Sequence, residues 1–226
     1  MTTVAVSGAA GRMGRMAAET VHGHPDLELG ALYDPEHVGA TIADRIVSGD
    51  PDSVTGADVV VEFTNPTVVL DNLATWRRLG CHAVVGTSGF DAARLEQVAE
   101  LWAGGGPNCL VVPNFSIGAV VMMRLSELAA PHFAAAEVIE LHHDRKADAP
   151  SGTALATARR IAAAKEQQRA VDSAELVPGA RGADVDTVPV HSIRLPGYVA
   201  HQEVVFGGLG ETLSIRHDTT DRQAFM

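Results

Sequence analysis

Apolar residues recur in two rhythms along this chain, and the change of rhythm near its middle divides it. In the first half, short apolar runs alternate with stretches of helical spacing. Residues 4–7 form an apolar run that stops at Gly8, and Met13, Ala17 and Val21 follow at intervals of four, which predicts a helix. Residues 27–33 read as a strand ending at Asp34, and 58–63 are nearly continuous in apolar character, as expected for a strand covered on both faces. A helix is predicted over 67–79 with Gly80 as its C-cap, then a strand at 82–85. A helix over 91–103, opened by Asp91 as N-cap, and a strand at 109–112 complete the series. Repeated strand–helix units predict a parallel sheet with helices on both faces.

The second half reads differently. Residues 117–130 predict a helix, 137–143 a strand, and 154–167 an Ala-rich helix. The stretch 171–187 holds Pro, Gly and Asp without periodicity and reads as a loop. Three strand-like runs follow at 189–195, 198–206 and 211–217, with turn signals at Pro196-Gly197 and Gly207-Gly208. These imply a smaller α+β unit with a mixed or antiparallel sheet and helices on one side. The boundary falls near 113–118. No internal repeat or low-complexity tract interrupts either half.

Composition narrows the partners. The 226 residues can bury a full core without a metal or disulfide staple. A net charge of −11 and a pI near 5.3 argue against nucleic acid and anionic membranes as partners. An anionic substrate would then need a local cationic pocket, which His142, His143, Arg145 and Lys146 can supply. Cys81 and Cys109 sit in apolar runs and read as buried free thiols, which suits a reducing compartment. Met1 leads into a strand with no visible signal peptide, and no apolar run reaches membrane-spanning length, so a cytoplasmic protein is expected.

Two motifs carry chemistry. Gly8-Ala9-Ala10-Gly11-Arg12-Met13-Gly14 follows the first strand and opens the first helix. Glycines there permit a tight turn and a close approach of backbone to a pyrophosphate at a helix N-terminus. Asp34 ends the next strand about twenty positions later, where a carboxylate accepts hydrogen bonds from ribose hydroxyls. Asp34 favours NAD, and Arg12 offsets its repulsion of a 2′-phosphate, so use of both NADH and NADPH is expected. The loops Val85-Gly86-Thr87-Ser88-Gly89 and Val112-Pro113-Asn114-Phe115-Ser116 also lie at carboxyl ends of strands, where ligands bind in such sheets.

The second motif is Glu140-Leu-His142-His143-Asp-Arg-Lys146-Ala-Asp-Ala-Pro-Ser151-Gly152-Thr153. Histidine donates and accepts protons near neutral pH, Lys146 adds a cation, and Ser151, Gly152 and Thr153 form a helix start that favours an anion. Adjacent strand residues point to opposite faces, but the break at Asp148, Ala149 and Pro150 lets both histidines converge on one pocket.

With these residues in view the chain resembles the dihydrodipicolinate reductase family, also called 4-hydroxy-tetrahydrodipicolinate reductases. The resemblance rests on the two motifs above together with Val85-Gly-Thr-Ser-Gly-Phe90 and Pro113-Asn-Phe-Ser-Ile-Gly118, in the family's order over nearly the whole chain. It implies a Rossmann-like dinucleotide domain over 1–115, a substrate and oligomerisation domain over 116–218 that builds a homotetramer, and a return segment over 219–226. It implies hydride transfer from NADH or NADPH to a cyclic dicarboxylate in lysine and diaminopimelate synthesis, without a metal. By position, His142 matches the family's proton donor/acceptor and Lys146 its proton donor. His143, Gly152 and Thr153 match substrate contacts, with Ser151 adjacent. Gly8 to Met13, Asp34, Gly86, Thr87, Ser88, Val112, Pro113, Asn114 and Phe115 match cofactor contacts. Two departures stand out: the family's Gly-Thr-Thr loop reads Gly86-Thr87-Ser88, and the family continues past Arg222-x-x-Phe225 with an apolar segment and a helix, whereas the sequence ends at Met226.

Other readings are a different nicotinamide oxidoreductase on the same fold, a metal hydrolase using His142, His143 and Asp144, and a non-catalytic dinucleotide sensor. Neither cysteine lies near the histidine segment as a nucleophile, and no H-x-H or H-E-x-x-H spacing supports a metal. The glycine-loop reading has a direct test. Asp34→Ala should shift preference toward NADPH and Arg12→Ala toward NADH, each by roughly tenfold, the worth of a lost charged hydrogen bond. Titrating both cofactors against both variants measures it, and parallel losses for the two cofactors would remove the assignment.

Overall fold

The computed structural model describes residues 1–165 and 168–226, which group into two units, 1–113 with Met226 and 114–225. The first unit contains strands β1 (Thr2–Ser7), β2 (Leu27–Tyr33), β3 (Thr41–Ile42), β4 (Arg45–Ser48), β5 (Val59–Glu62), β6 (His82–Val85) and β7 (Cys109–Val111). Helices α1 (Arg12–Gly23), α2 (Val69–Arg78) and α3 (Ala92–Leu101) connect them. The strand order is β3-β4-β2-β1-β5-β6-β7, with every pairing parallel except β3 with β4. The order reverses at β1, between β2 and β5, so the loop after β1 stands at the switch point where such sheets bind ligands.

Alternation along β1 shows why both faces are covered. Val4 and Val6 pack with Ala17, Ala18 and Val21 of α1, while Ala5 packs with Val69, Leu73 and Trp76 of α2 and Val98 of α3. Tyr33 meets the Trp76 ring edge-on at 5.5 Å. Met226 joins the α1-side cluster.

Some local features differ from the sequence expectation. Strands β3 and β4 and the 3₁₀ turn Pro51–Val54 lie in a stretch without a predicted element. Two to four residues are too few to show a period. The second helix starts at Val69 rather than 67. Asn65 Oδ1 accepts from the Thr67 N–H (2.9 Å) and from its hydroxyl, and this local turn displaces the first helical residues. Asp91 caps α3 as expected, its Oδ1 accepting from the Arg94 N–H at 2.9 Å.

The second unit comprises α4 (Ile117–Ala129), β8 (Ala135–His142), α5 (Gly152–Ala163), β9 (Ala183–Val185), β10 (Val188–Arg194), β11 (Ala200–Gly208) and β12 (Glu211–Thr219). Its sheet runs β12-β11-β8-β10-β9 and is mixed: β10 is parallel to β8, and the other pairings are antiparallel. Helix α5 ends at Ala163, short of the expected 167. Just beyond, Lys165 Nζ donates to the carbonyls of Phe133 (2.6 Å) and Ala134, tying this end to the loop before β8. Glu166 and Gln167, within the expected helix, lie outside the described residues. Strand β9 corrects the reading of 171–187 as loop throughout. It pairs with β10 across a turn in which Asp186 and Thr187 adopt positive φ (51° and 74°). The three residues Ala-Asp-Val are too few to establish a period from which to foresee it.

One face of this sheet packs on the helices. Val138, Val190, Val204 and Phe206 meet Ala154, Ala158 and Ile161 of α5. The register carries the same face into two rows of different chemistry at one end. Glu140 stands opposite Gln202, which faces His217; His142 stands opposite Ala200, which faces Thr219. The layer between sheet and helices is therefore apolar along most of its length and polar at that end.

Among the described residues no helix is long and apolar enough to cross a membrane. Gly14 tests the packing of the first unit. A Cβ there would overlap the Gly8 carbonyl oxygen and crowd Ala9 Cα, both backbone. Gly14→Ala should lower stability by about 1–3 kcal/mol, as overpacking does, and weaken cofactor binding with it. Denaturant unfolding and a cofactor titration on the same sample measure both.

Candidate active site

The loop after β1 is held from three sides. Gly8 has φ +73°, and a side chain there would also strike the Phe63 carbonyl. The N–H groups of Gly8 and Ala9 donate to the Tyr33 carbonyl (2.9 and 3.2 Å), that of Gly11 to the Gly8 carbonyl (3.0 Å), and that of Ala10 to Asp34 Oδ2 (3.1 Å). These amides serve the loop's own shape. The groups left for an anion are the first N–H groups of α1, because its N-cap is Gly11 and no side chain caps it. Arg12 is exposed and Met13 half-buried at that start, whereas Ala9 is fully buried in the core. Gly14 is glycine for helix-to-loop packing rather than for approach to a ligand.

Asp34 is both turn former and clamp. Besides Ala10 it accepts from the Glu36 N–H and from His37 Nδ1, each at 3.1 Å. A carboxylate offers about four acceptor positions, so capacity remains for a ribose hydroxyl. Thr87, buried, accepts from the Thr64 N–H (3.0 Å) and donates to the Glu62 carbonyl (3.3 Å), while the Gly86 N–H donates to the same carbonyl at 2.9 Å. Ser88 is exposed. The Val112 N–H bonds the Val85 carbonyl (2.9 Å), and Pro113 ends the unit. Beneath these loops Glu62 is fully buried. It accepts from Trp76 Nε1 (2.8 Å), Asn72 Nδ2 (3.2 Å) and the Thr64 hydroxyl.

In the second unit a small, half-open cavity of about 30 Å³ lies at the polar end of the sheet–helix layer. Met122 of α4, His142 of β8, Thr153 of α5, Gln202 of β11, and His217 and Thr219 of β12 are among its lining. Ala200, in the middle of the His142–Thr219 row, leaves the space open. Glu140 has no exposed surface. It accepts both Arg194 terminal nitrogens (2.9 and 2.7 Å), the Ser151 N–H (3.3 Å) and His142 Nδ1. Burial pushes its pKa up, but the hydrogen bonds from His142, Arg194 and Ser192 outweigh this and hold it at about 2. An ionised Glu140 keeps the His142 proton on Nδ1 and leaves Nε2 for a ligand.

Each remaining expected residue has a definite place. His142, the last residue of β8, lines the cavity from the helix-facing side of the sheet, and His143 follows the end of the strand outside that lining. His143 Nδ1 is buried without a partner among the described residues. Burial lowers its pKa, and the nearby positive charges of Arg222, Arg145 and His142 add to the effect. Lys146 Nζ grips Asp148 (2.7 and 2.9 Å). Burial raises the Asp148 pKa, but the hydrogen bond from Lys146, a backbone hydrogen bond and the charges of Lys146 and Arg194 together bring it below the ordinary value. Ser151 caps α5, its hydroxyl accepting from the Ala154 N–H (3.2 Å), and Gly152 is the first helical residue. Thr153 Oγ1 accepts from Asn114 Nδ2 at 3.0 Å, and Asn114 Oδ1 accepts from the Ser116 N–H at 2.8 Å. Asn114, expected at the cofactor, therefore orients a residue expected at the substrate, and Phe115 follows it at the start of the second unit. Among the described residues no group of three or more His, Cys, Asp or Glu could hold a metal ion.

Sequence reasoning passed over Glu140, Arg194 and Arg222 as functional residues. Glu140 could have been found: two positions before His142, it shares its strand face. Arg194 carries no local signal, since only the β8–β10 register brings it opposite His142.

A nucleotide-type loop at a switch point and a carboxylate-oriented histidine beside a cavity define an α/β oxidoreductase. Two family models match the chain: "Dihydrodipicolinate reductase, N-terminus" over residues 2–115 and "Dihydrodipicolinate reductase, C-terminus" over 118–226. The chain belongs to the dihydrodipicolinate reductase family. It is 50% identical over 228 residues to the 4-hydroxy-tetrahydrodipicolinate reductase of Nocardia farcinica, covering 98% of this chain and 88% of that protein. It is 50% identical over 231 residues to that of Thermobifida fusca, covering 100% and 89%. Among solved structures, a dipicolinate-bound dihydrodipicolinate reductase from Paenisporosarcina sp. TG-14 superposes with a TM-score of 0.84 at 38% identity, covering 100% of this chain and 90% of that one.

The Glu140 carboxylate gives a pH prediction. Its folded pKa lies below the ordinary carboxylate value of 4.5, so its contribution is present above pH 4.5 and is lost as pH falls toward about 2. The total is on the order of 3 kcal/mol. Glu140→Gln should flatten acid unfolding over that window and lower turnover at neutral pH, because an amide cannot hold the His142 proton as a carboxylate does. Unfolding titrations from pH 5 to 2, set beside turnover at pH 7, measure both effects.

Proposed function

We propose that this chain reduces 4-hydroxy-tetrahydrodipicolinate to tetrahydrodipicolinate with NADH or NADPH, a step in lysine and diaminopimelate synthesis. The observation that carries the reading is the Glu140–His142 pair beside the cavity, in a chain half identical to reductases that bear this name. Overall, the substrate loses its hydroxyl and one ring hydrogen as water, and a hydride and a proton add to the ring in their place. When bound, the nicotinamide supplies the hydride.

The residues present suit such a cofactor. The uncapped start of α1 accepts a pyrophosphate, and Asp34 retains acceptor capacity for the ribose. Gly8, Ala9, Ala10 and Gly11 shape that loop, with Arg12 and Met13 at the helix start. Gly86, Thr87, Ser88, Val112, Pro113, Asn114 and Phe115 complete the cofactor set by resemblance. His142 moves a proton at Nε2, its ring held by Glu140. Lys146, paired with Asp148, is the second proton donor. The helix start at Ser151, Gly152 and Thr153 holds one carboxylate, and Thr153 is favoured for this role because its oxygen already accepts from Asn114, which leaves its hydrogen to donate. The positive surroundings of His143, with Arg145 and Arg222, suit the other carboxylate.

The protein is a cytoplasmic homotetramer in this reading, with neither nucleic acid nor membrane as partner. Support comes from the net charge of −11, the free Cys81 and Cys109, and the face of the five-stranded sheet turned away from its helices. There Ile139, Ile193 and Val205 are only half-buried in the single chain.

A coupled assay with the product of the preceding synthase step, run with NADH and with NADPH, tests the activity. His142→Gln and Lys146→Ala should each lower kcat by roughly 10²–10⁴-fold, the worth of a general acid, with little change in cofactor affinity. Thr153→Val should raise KM. Full turnover in folded His142→Gln and Lys146→Ala variants would remove their assignment.

A further inference from the structure

The cavity beside His142 holds two polar atoms that neither the fold nor the roles above explain. Gln202 is buried, and its amide orientation follows from its partner. Thr157 Oγ1 donates its one hydrogen to the Thr153 carbonyl (2.8 Å), so it must accept from Gln202 Nε2 (2.7 Å). Gln202 Oε1 is then an acceptor, buried and without a partner among the described residues. Thr219 Oγ1, on a residue only 2% exposed, is in the same position. Both residues line the cavity and flank Ala200 in the polar rows of the sheet, with His142 across from Ala200. A buried polar group left unpaired costs about 1–3 kcal/mol, which a ligand in the cavity can recover.

The three free groups form a matched set: an amide acceptor, a hydroxyl, and the Nε2 of an imidazole whose Nδ1 is taken. A ligand hydroxyl donates one hydrogen and accepts two. It can donate to Gln202 Oε1 while accepting from Thr219 and from a protonated His142. The apolar wall from Ala119 and Met122 suits the ring carbon that carries such a hydroxyl. We propose that Gln202 and Thr219, with His142, form a subsite for the 4-hydroxyl of a cyclic 2,6-dicarboxylate. The subsite selects the hydroxylated ring over its dehydrated or unsubstituted counterpart. This rests on the reading of the chain as a reductase of that substrate.

The probes are cis-piperidine-2,6-dicarboxylate and its 4-hydroxy derivative, titrated calorimetrically into the full chain saturated with NADH, with dipicolinate as control. The wild-type chain should prefer the hydroxylated ligand by roughly tenfold, the equivalent of about 1.4 kcal/mol. Thr219→Val, which keeps the side-chain shape, should bring that preference down to about threefold or less, with affinity for the unsubstituted ring retained. Gln202→Met should do the same. Because Gln202 also supports Thr157, Thr219→Val decides the matter where Gln202→Met fails to fold. Equal binding of the two ligands by the wild type overturns the subsite, as does a tenfold preference that survives Thr219→Val. Failure of the wild type to bind dipicolinate at all overturns the substrate reading, and the subsite with it.

Discussion

Glu140 is a carboxylate with no exposed surface, and the second unit is arranged around keeping it ionised. Burying such a charge without partners is prohibitive. Here a two-pronged Arg194, His142 Nδ1 and the Ser151 N–H share it. Those partners come from β10, β8 and the cap of α5, so one charge ties two strands and a helix start together. Arg194 also reaches the Asp148 carbonyl at 2.7 Å and thereby fixes the loop that carries Lys146. Such a network is weak evidence for stability, since an apolar replacement of equal volume can be as stable. Its value lies in the fixed tautomer and orientation of His142.

The first unit contains a counterpart. Glu62, at the end of the inner strand β5, is equally buried, but its side-chain partners are neutral donors from Trp76, Asn72 and Thr64. It anchors the segment after β5, while its own carbonyl accepts from Thr87 and Gly86 in the next loop. In both units a carboxylate near the carboxyl end of an inner strand organises the neighbouring loops. The two differ in purpose. One sets the shape of the segments after β5 and β6, whereas the other orients the His142 ring.

The second unit also shows how a packed layer becomes a site. The sheet–helix layer is filled by Val138, Val204, Phe206 and Ile161 until the register reaches Glu140 and His142. There the inward residues turn polar and Ala200 leaves space. The neighbouring support is exacting. Gly118 has no side chain because His217 occupies the place, its Cδ2 lying 2.5 Å from where a Cβ would sit. His217 Nε2 in turn meets Ser116 Oγ at 3.2 Å. Burial lowers the His217 pKa, with Asp218 raising it and His201 lowering it further.

Much of this was legible before any coordinates. Strands 27–33 and 82–85 and the Asp91 cap are local matters of period and capping, and neighbouring residues are enough to specify them. The glycine loop and the segment 140–153 were legible for the same reason: their chemistry is contiguous. What stayed hidden depends on contacts between residues far apart in the chain. Strand β9 takes its identity from β10 rather than from its own three residues. Arg194 meets Glu140, 54 positions away, only through the β8–β10 register, and Gln202 and Thr219 come beside His142 only through β11 and β12. Local pattern specifies elements and motifs, whereas register, burial and the pairing of distant charges specify which atoms remain free to meet a ligand.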